Sequence, residues 1–232
     1  MSEPVRRVAV VGDDDEVNAV LRNRGATVVD PPTADAVVAA DPEGIRTAAD
    51  ANVPVLPVGS GRHAVAPENA RDAVERLLDG DTNRAFHPML SVEVDGEREG
   101  TAVFDATLVT AEPARISEYA VALPDERRES FRADAVVVAT PLGSDGYAAA
   151  AGGPVLGPDT GLAVVPVAPF STATETWVAS APLELSVERD EELVSLVLDG
   201  EEHGEVPPHA PVTVRVDGKV TVLSMEPDRT GP

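Results

Sequence analysis

The chain has 232 residues, enough to bury a substantial core as one large or two small domains. It carries 41 acidic and 18 basic residues, a net charge of −23, which argues against nucleic acid and anionic membrane as partners. Cysteine is absent, so disulfides and thiolate metal sites are excluded. Lys219 is the sole lysine, and the acidic residues are dispersed rather than gathered in a tail. Such a composition points to a halophilic protein, because molar salt screens carboxylate repulsion over roughly 3 Å at 1 M. No apolar run approaches the roughly 18 residues of a membrane span, and MSEPVRRVAVVG lacks an adequate signal-peptide core. A soluble, cytoplasmic protein is expected.

In chain order, Val8 to Val11 reads as a short buried strand ending at Gly12. Asp13, Asp14 and Asp15 offer an N-cap, and Val17, Val20 and Leu21 follow at helical spacing until Gly25. Ala26 to Val29 is a second strand, broken by Pro31-Pro32, and Ala36 to Ala39 a third. Ile45 to Asn52 reads as helix and Val53 to Val58 as strand, ending in Gly59-Ser60-Gly61. Glu68 to Leu78 is an amphipathic helix with Ala70, Val74, Leu77 and Leu78 inward. Alternating strands and helices predict a parallel, three-layer α/β (Rossmann-like) domain over residues 1–83.

From residue 84 to 232 the pattern turns β-rich. Strands are expected at Leu90–Val94, Thr101–Val109, Ile116–Leu123, Ala135–Ala139, Leu162–Val167, Trp177–Ala179, Leu183–Val187, Leu193–Leu198, Val212–Val216 and Val220–Met225. Asp95-Gly96, Asp199-Gly200 and Asp217-Gly218 are the turn signals between them. No repeat or low-complexity segment occurs.

The densest motif is Arg132 to Pro154, RADAVVVATPLGSDGYAAAAGGP. A continuous apolar run ends in Thr140-Pro141-Leu142-Gly143-Ser144-Asp145-Gly146-Tyr147, and Ala151-Gly152-Gly153-Pro154 follows. The small residues permit close approach of a ligand or a second backbone. The four histidines, His63, His87, His203 and His209, are scattered and form no metal-ligand or triad spacing, so no protein-built metal site is expected. G-S-D-G is not a nucleophile elbow, and the Gly12 turn lacks G-x-G-x-x-G, which excludes the commonest hydrolase and dehydrogenase signatures.

This stretch resembles the signature of the NAD kinase family, D-G-hhh-x-T-P-T-G-S-T-A-Y followed by S-A-G-G-P. Thr140, Pro141, Gly143, Ser144 and Tyr147 match, as does Ala151-Gly152-Gly153-Pro154; Leu142, Asp145 and Gly146 depart. The resemblance extends over nearly the whole chain and implies a small α/β domain followed by a β-rich, sandwich-like domain that binds the dinucleotide. It implies phosphoryl transfer from ATP or polyphosphate, with Mg2+, to the 2′-hydroxyl of NAD, and a homo-oligomer. The family's G-G-D-G-T phosphate turn falls on Ala39-Ala40-Asp41-Pro42-Glu43-Gly44. Asp41 is its catalytic candidate and Gly44 a phosphate-site glycine; an acidic N-cap followed by proline at the first helical position is the ordinary structural alternative. The family's N-E pair falls on Phe104-Asp105-Ala106, so Asp105 replaces the Asn and Ala106 the Glu. By resemblance Asp105, Asp134, Thr140, Gly143, Ser144, Tyr147, Gly152, Gly153 and Asp199 line the dinucleotide site, and Pro169-Phe170-Ser171 corresponds to A-P-H-S-L. The altered phosphate turn and N-E pair leave a second expectation open: a nucleotide-binding paralogue, impaired in transfer, acting as sensor or partner subunit.

Overall fold

A computed structural model describes residues 5–12, 15–59, 61–112, 115–123, 128–189 and 193–225. The expected N-cap aspartates Asp13 and Asp14, and Ser60, lie outside them. The first half runs β1 (Arg7–Val11), α1 (Asp15–Asn23), β2 (Thr27–Val28), β3 (Ala36–Ala39), α2 (Pro42–Asp50), β4 (Val55–Pro57), α3 (Ala70–Asp79). Then come β5 (Asn83–Val94), β6 (Glu97–Ala102), β7 (Asp105–Thr110), β8 (Ser117–Ala122), β9 (Arg128–Ala133) and β10 (Ala135–Ala139). The chain continues through α4 (Tyr147–Ala150), β11 (Leu162–Val167), β12 (Trp177–Ala179), β13 (Leu183–Val187), β14 (Val194–Leu198), β15 (Glu201–Glu205) and β16 (Val212–Ser224). Two compact units result, residues 1–87 with 219–232, and residues 88–218. β5 and β16 each cross a boundary between them.

In the first unit β2, β1, β3 and β4 lie side by side and parallel, and β16 adds a further parallel strand through Val222 opposite Val55. The period of two sorts the strands' side chains between layers. Val8, Ala36, Val38 and Leu56 pack with Val17, Val20 and Leu21 of α1, with Val74, Leu77 and Leu78 of α3, and with Leu223. The opposite face carries α2, whose Gly44 sits against Ala39 and Val11. This is the expected three-layer α/β arrangement. α3 ends where Gly80 takes the left-handed conformation (φ 74°), as a helix C-cap requires.

The second unit is an antiparallel sandwich, as expected. One layer holds β9, β8, β13 and β16, with the β5–β6 hairpin joined to β16. The other runs β12, β11, β10, β7, β14, β15. Their inner faces share one apolar core, including Leu90, Tyr119, Leu185 and Val214 from the first layer and Leu108, Val136, Val164 and Leu196 from the second. β10 is buried on both faces, since α4 and Leu156 cover its outer side at Val137 and Ala139. That accounts for the unbroken apolar run in its sequence.

Four expectations about strands are corrected. The run from Thr101 to Val109 divides into β6 and β7, because the backbone N–H groups of Val103 and Phe104 bond to the Asp199 carboxylate instead of a ladder. Asp217-Gly218 does not reverse the chain. Gly218 takes φ 90° inside one continuous β16, whose two ends pair with β13 and β4. β9 and β15 were not foreseen: each is a charged edge strand, and β15 is exposed throughout. Among the described residues no helix is long and apolar enough to cross a membrane.

Leu185 is almost fully buried at the centre of the sandwich. Leu185→Ala is expected to lower unfolding free energy by about 2–5 kcal/mol in denaturant titrations in molar KCl. A loss below about 1 kcal/mol would contradict this packing.

Candidate functional site

Two clusters of site residues emerge, one in each unit. The first lies at the carboxyl ends of β1, β3 and β4, the edge where open parallel sheets hold ligands. Asp41 is the N-cap of α2: extended at φ −149°, it accepts the Gly44 N–H on Oδ1 at 2.8 Å. Pro42 occupies the first helical turn, where its missing N–H costs the helix nothing. The ordinary capping arrangement is therefore realised, and the second oxygen, Oδ2, lies over Gly12. A Cβ on Gly12 would come within 2.8 Å of the Ala40 Cβ and 3.3 Å of Asp41 Oδ2, and Gly12 has φ 93°. Gly44 is equally constrained, since a Cβ there would meet the Ala39 Cβ at 2.7 Å. Gly12 was read in the sequence only as a strand end; its role beside Asp41 depends on the β1–β3 pairing, which no local pattern reveals.

The second cluster joins the start of β7, the end of β10 and the β14–β15 turn. Asp199 sits at φ 50° with Gly200 at φ 85°, the paired positive angles of a tight hairpin. Its carboxylate accepts three successive backbone N–H groups, from Val103 (2.8 Å), Phe104 (2.7 Å) and Asp105 (3.0 Å). The same short segment receives Thr140, whose N–H donates to the Phe104 carbonyl at 2.9 Å and whose hydroxyl donates to the Val103 carbonyl at 2.7 Å. Gly143 packs so closely that any Cβ would overlap the Phe104 carbonyl.

Thr140 and Ser144 are fully buried, and their hydroxyls serve the turn itself. Ser144 Oγ donates to the Pro141 carbonyl and accepts the Leu156 N–H, both at 2.9 Å. Gly153 lets α4 settle onto β11, for a Cβ would fall 2.5 Å from Val165 Cγ2; Gly152, at φ 91°, closes the end of α4. Tyr147 opens α4 half-exposed. Asp134, between β9 and β10, presents its carbonyl to Thr110 Oγ1 and to the Tyr119 hydroxyl.

Asp105 differs in kind from its neighbours. It is part-buried, and Oδ1 accepts the Thr107 hydroxyl at 3.1 Å, while Oδ2 takes no hydrogen bond among the described residues. Burial pushes its carboxyl up to about 6; the Thr107 bond opposes that shift and the nearby Asp199 charge adds to it. Ala106 is buried in the sandwich core and brings no polar group. A separate recess of about 450 Å³ lies beside Arg132, Phe131 and Trp177, with Phe170 at its rim, 71% exposed, under the Arg132 guanidinium. Among the described residues no three acidic or histidine side chains converge as a metal site.

The family described as "ATP-NAD kinase C-terminal domain" matches residues 105–222. The NAD kinase of Methanopyrus kandleri is 31% identical over 183 residues, 76% of this chain and 63% of that protein. The NAD kinase of Methanosarcina barkeri is 35% identical over 140 residues, 58% of this chain and 50% of that protein. The alignments thus span between half and somewhat under two thirds of these relatives. In fold, the chain is similar to an NAD kinase from Archaeoglobus fulgidus in complex with ATP (TM-score 0.75, 22% identity, 95% of this chain and 94% of that one). It is similar also to yeast NADH kinase complexed with NADH (TM-score 0.77, 13% identity, 96% and 84%).

The raised Asp105 carboxyl makes stability depend on pH. Its neutral form favours the fold, so that contribution is complete below the unfolded value near 4 and is lost as pH rises through about 6. Asp105→Asn is expected to match the parent near pH 4 and to gain over it up to a plateau above pH 6, worth about 2–3 kcal/mol. Denaturant titrations from pH 4 to 8 measure the difference, and a pH-independent difference would refute the burial argument.

Proposed function

The chain belongs to the NAD kinase family, and on that premise we propose that it binds NAD and slowly transfers a phosphoryl group to the 2′-hydroxyl from ATP or polyphosphate. The observation that carries this reading is the family match over residues 105–222, the part of the chain that holds the Asp105–Thr140–Asp199 cluster. In the transfer the 2′-oxygen forms a bond to the terminal phosphorus and the bond to the bridging oxygen breaks. The nucleoside diphosphate or shortened polyphosphate leaves, and the hydroxyl proton passes to a base. Asp41 is the proposed base, through Oδ2, because Oδ1 is engaged by the Gly44 N–H. Mg2+ would enter with the donor phosphates, as it commonly does, with Asp41 a carboxylate at that edge of the first unit's sheet.

Slowness follows from the phosphate turn. Pro42 has no N–H to offer a phosphate, and the loss of one preorganised donor costs about 10²–10³ in rate. Glu43 adds a negative charge on the first turn of α2. At about 4 Å from a phosphate its repulsion is on the order of 4 kcal/mol at an effective dielectric of 20, reduced by molar salt. A second reading, dinucleotide binding without transfer, is favoured by the same two residues and by Ala106 in place of a carboxylate. We place the protein in the cytoplasm as a homo-oligomer built through the β-rich unit. Half-exposed Val178 on the edge strand β12 and exposed Phe170 are the apolar groups that support this.

Incubation of the pure protein with NAD, ATP and Mg2+ in molar KCl is expected to give slow NADP formation, abolished by Asp41→Asn, with NAD binding retained in that variant. Binding without any NADP formation would select the second reading, and absence of both would refute the first and the second together. Light scattering in the same buffer is expected to give a mass at least twice 24.1 kDa; a strictly monomeric species would refute the oligomer.

A further inference from the structure

In the second unit's cluster the polar side chains are largely engaged within the protein. Thr140 and Ser144 donate their hydroxyl hydrogens to carbonyls, Thr107 donates to Asp105, and Asp199 holds three N–H groups. Asp105 Oδ2 is the carboxyl oxygen that remains for a ligand, at the point where β7 begins beside the Thr140 turn.

We infer that Asp105 meets its ligand as a neutral carboxylic acid, with the proton on Oδ2 donated to an uncharged acceptor oxygen of the dinucleotide, a ribosyl hydroxyl or the carboxamide. The inference rests on the dinucleotide reading above. Oδ1 accepts the Thr107 hydroxyl hydrogen, so the acid proton resides on Oδ2. Three backbone N–H groups stabilise negative charge on Asp199, and charge-assisted bonds of this kind hold a carboxylate ionised. A second negative charge beside it, in a part-buried place, is disfavoured. Among the described residues no cation acts on the Asp105 carboxyl, which burial, Thr107 and Asp199 govern; β10 presents Ala139, the turn after it Thr140, β14 Leu198 and the 103–104 segment Val103 and Phe104. Asp199 is the charge that acts on Asp105. An ionised Asp105 could only accept, and it would repel phosphate; the acid donates and tolerates a neutral oxygen. The chain thereby distinguishes the sugar or amide part of a dinucleotide from its diphosphate.

Burial pushes the carboxyl up to about 6, so occupancy of the donor form falls over an accessible range. If only the acid binds, NAD affinity of the parent protein drops by about 30-fold between pH 5 and pH 7.5. Asp105→Asn, whose amide donates at every pH, is expected to bind within about threefold of the parent at pH 5 and to hold that affinity to pH 7.5. Isothermal titration of NAD into both proteins in molar KCl measures this, with circular dichroism confirming that the variant is folded. A parent affinity that is flat with pH, or parent and variant falling in parallel, overturns the inference and leaves the dinucleotide reading standing. A folded Asp105→Asn that fails to bind at pH 5 also overturns it. Absence of NAD binding by both proteins at every pH overturns the inference and the dinucleotide reading together.

Discussion

The arrangement of the second unit depends on one carboxylate. Asp199 turns a hairpin and, from that corner, takes three consecutive backbone N–H groups of Val103, Phe104 and Asp105. A strand cannot give three consecutive N–H groups to one side, because its groups alternate; the segment must leave the ladder, and it does so between β6 and β7. The carbonyls thereby turned toward β10 receive Thr140, and the resulting backbone contact admits only glycine at 143. Hydrogen bonds to an ionised acceptor are worth about 1.5–3 kcal/mol each, so one residue fixes a junction of three strands.

The first unit solves a similar problem with apposition rather than charge. Gly12, Ala40 and Gly44 bring the ends of β1 and β3 and the start of α2 together so closely that even a methyl group is excluded at Gly12 and Gly44. Asp41 then has one place to stand, capping the helix with one oxygen and facing Gly12 with the other. Alanines where a glycine pair serves in the family's turn retain the packing, while Pro42 removes a donor. The local sequence thus keeps its architecture with one backbone donor fewer.

Much of this was legible in the residues. Periodicity located β1, β3, β10, β11 and the amphipathic α3 within a residue or two, because burial on one or both faces leaves its mark on composition. The T-P-x-G-S and A-G-G-P stretches pointed to the family by resemblance to its signature, and in the fold Gly143 packs on the Phe104 carbonyl and Gly153 on Val165. What escaped depends on partners remote in sequence. The break at Val103 is imposed by Asp199, 96 residues away. β15 is exposed and charged throughout, and β9 turns only Phe131 and Ala133 inward among its charged residues, too short an alternation to read. The buried hydroxyl of Thr140 braces the fold by donating to the Val103 carbonyl, 37 residues away, a partner that nothing local in the sequence announces.

The path of β16 bears on how the molecule is made. The strands β1 to β4 leave the ribosome before the sandwich does, yet Val222 pairs with β4 and Leu223 lies in the core of the first unit. Synthesis supplies β1 to β4 early and the strand that covers the flank of β4 only after the entire sandwich has been translated. During that interval the nascent α/β segment holds an uncovered parallel edge, while the sandwich, whose strands up to Gly218 are contiguous, already has its full complement. The unit whose strands are translated earlier is thus the one that waits for its last strand.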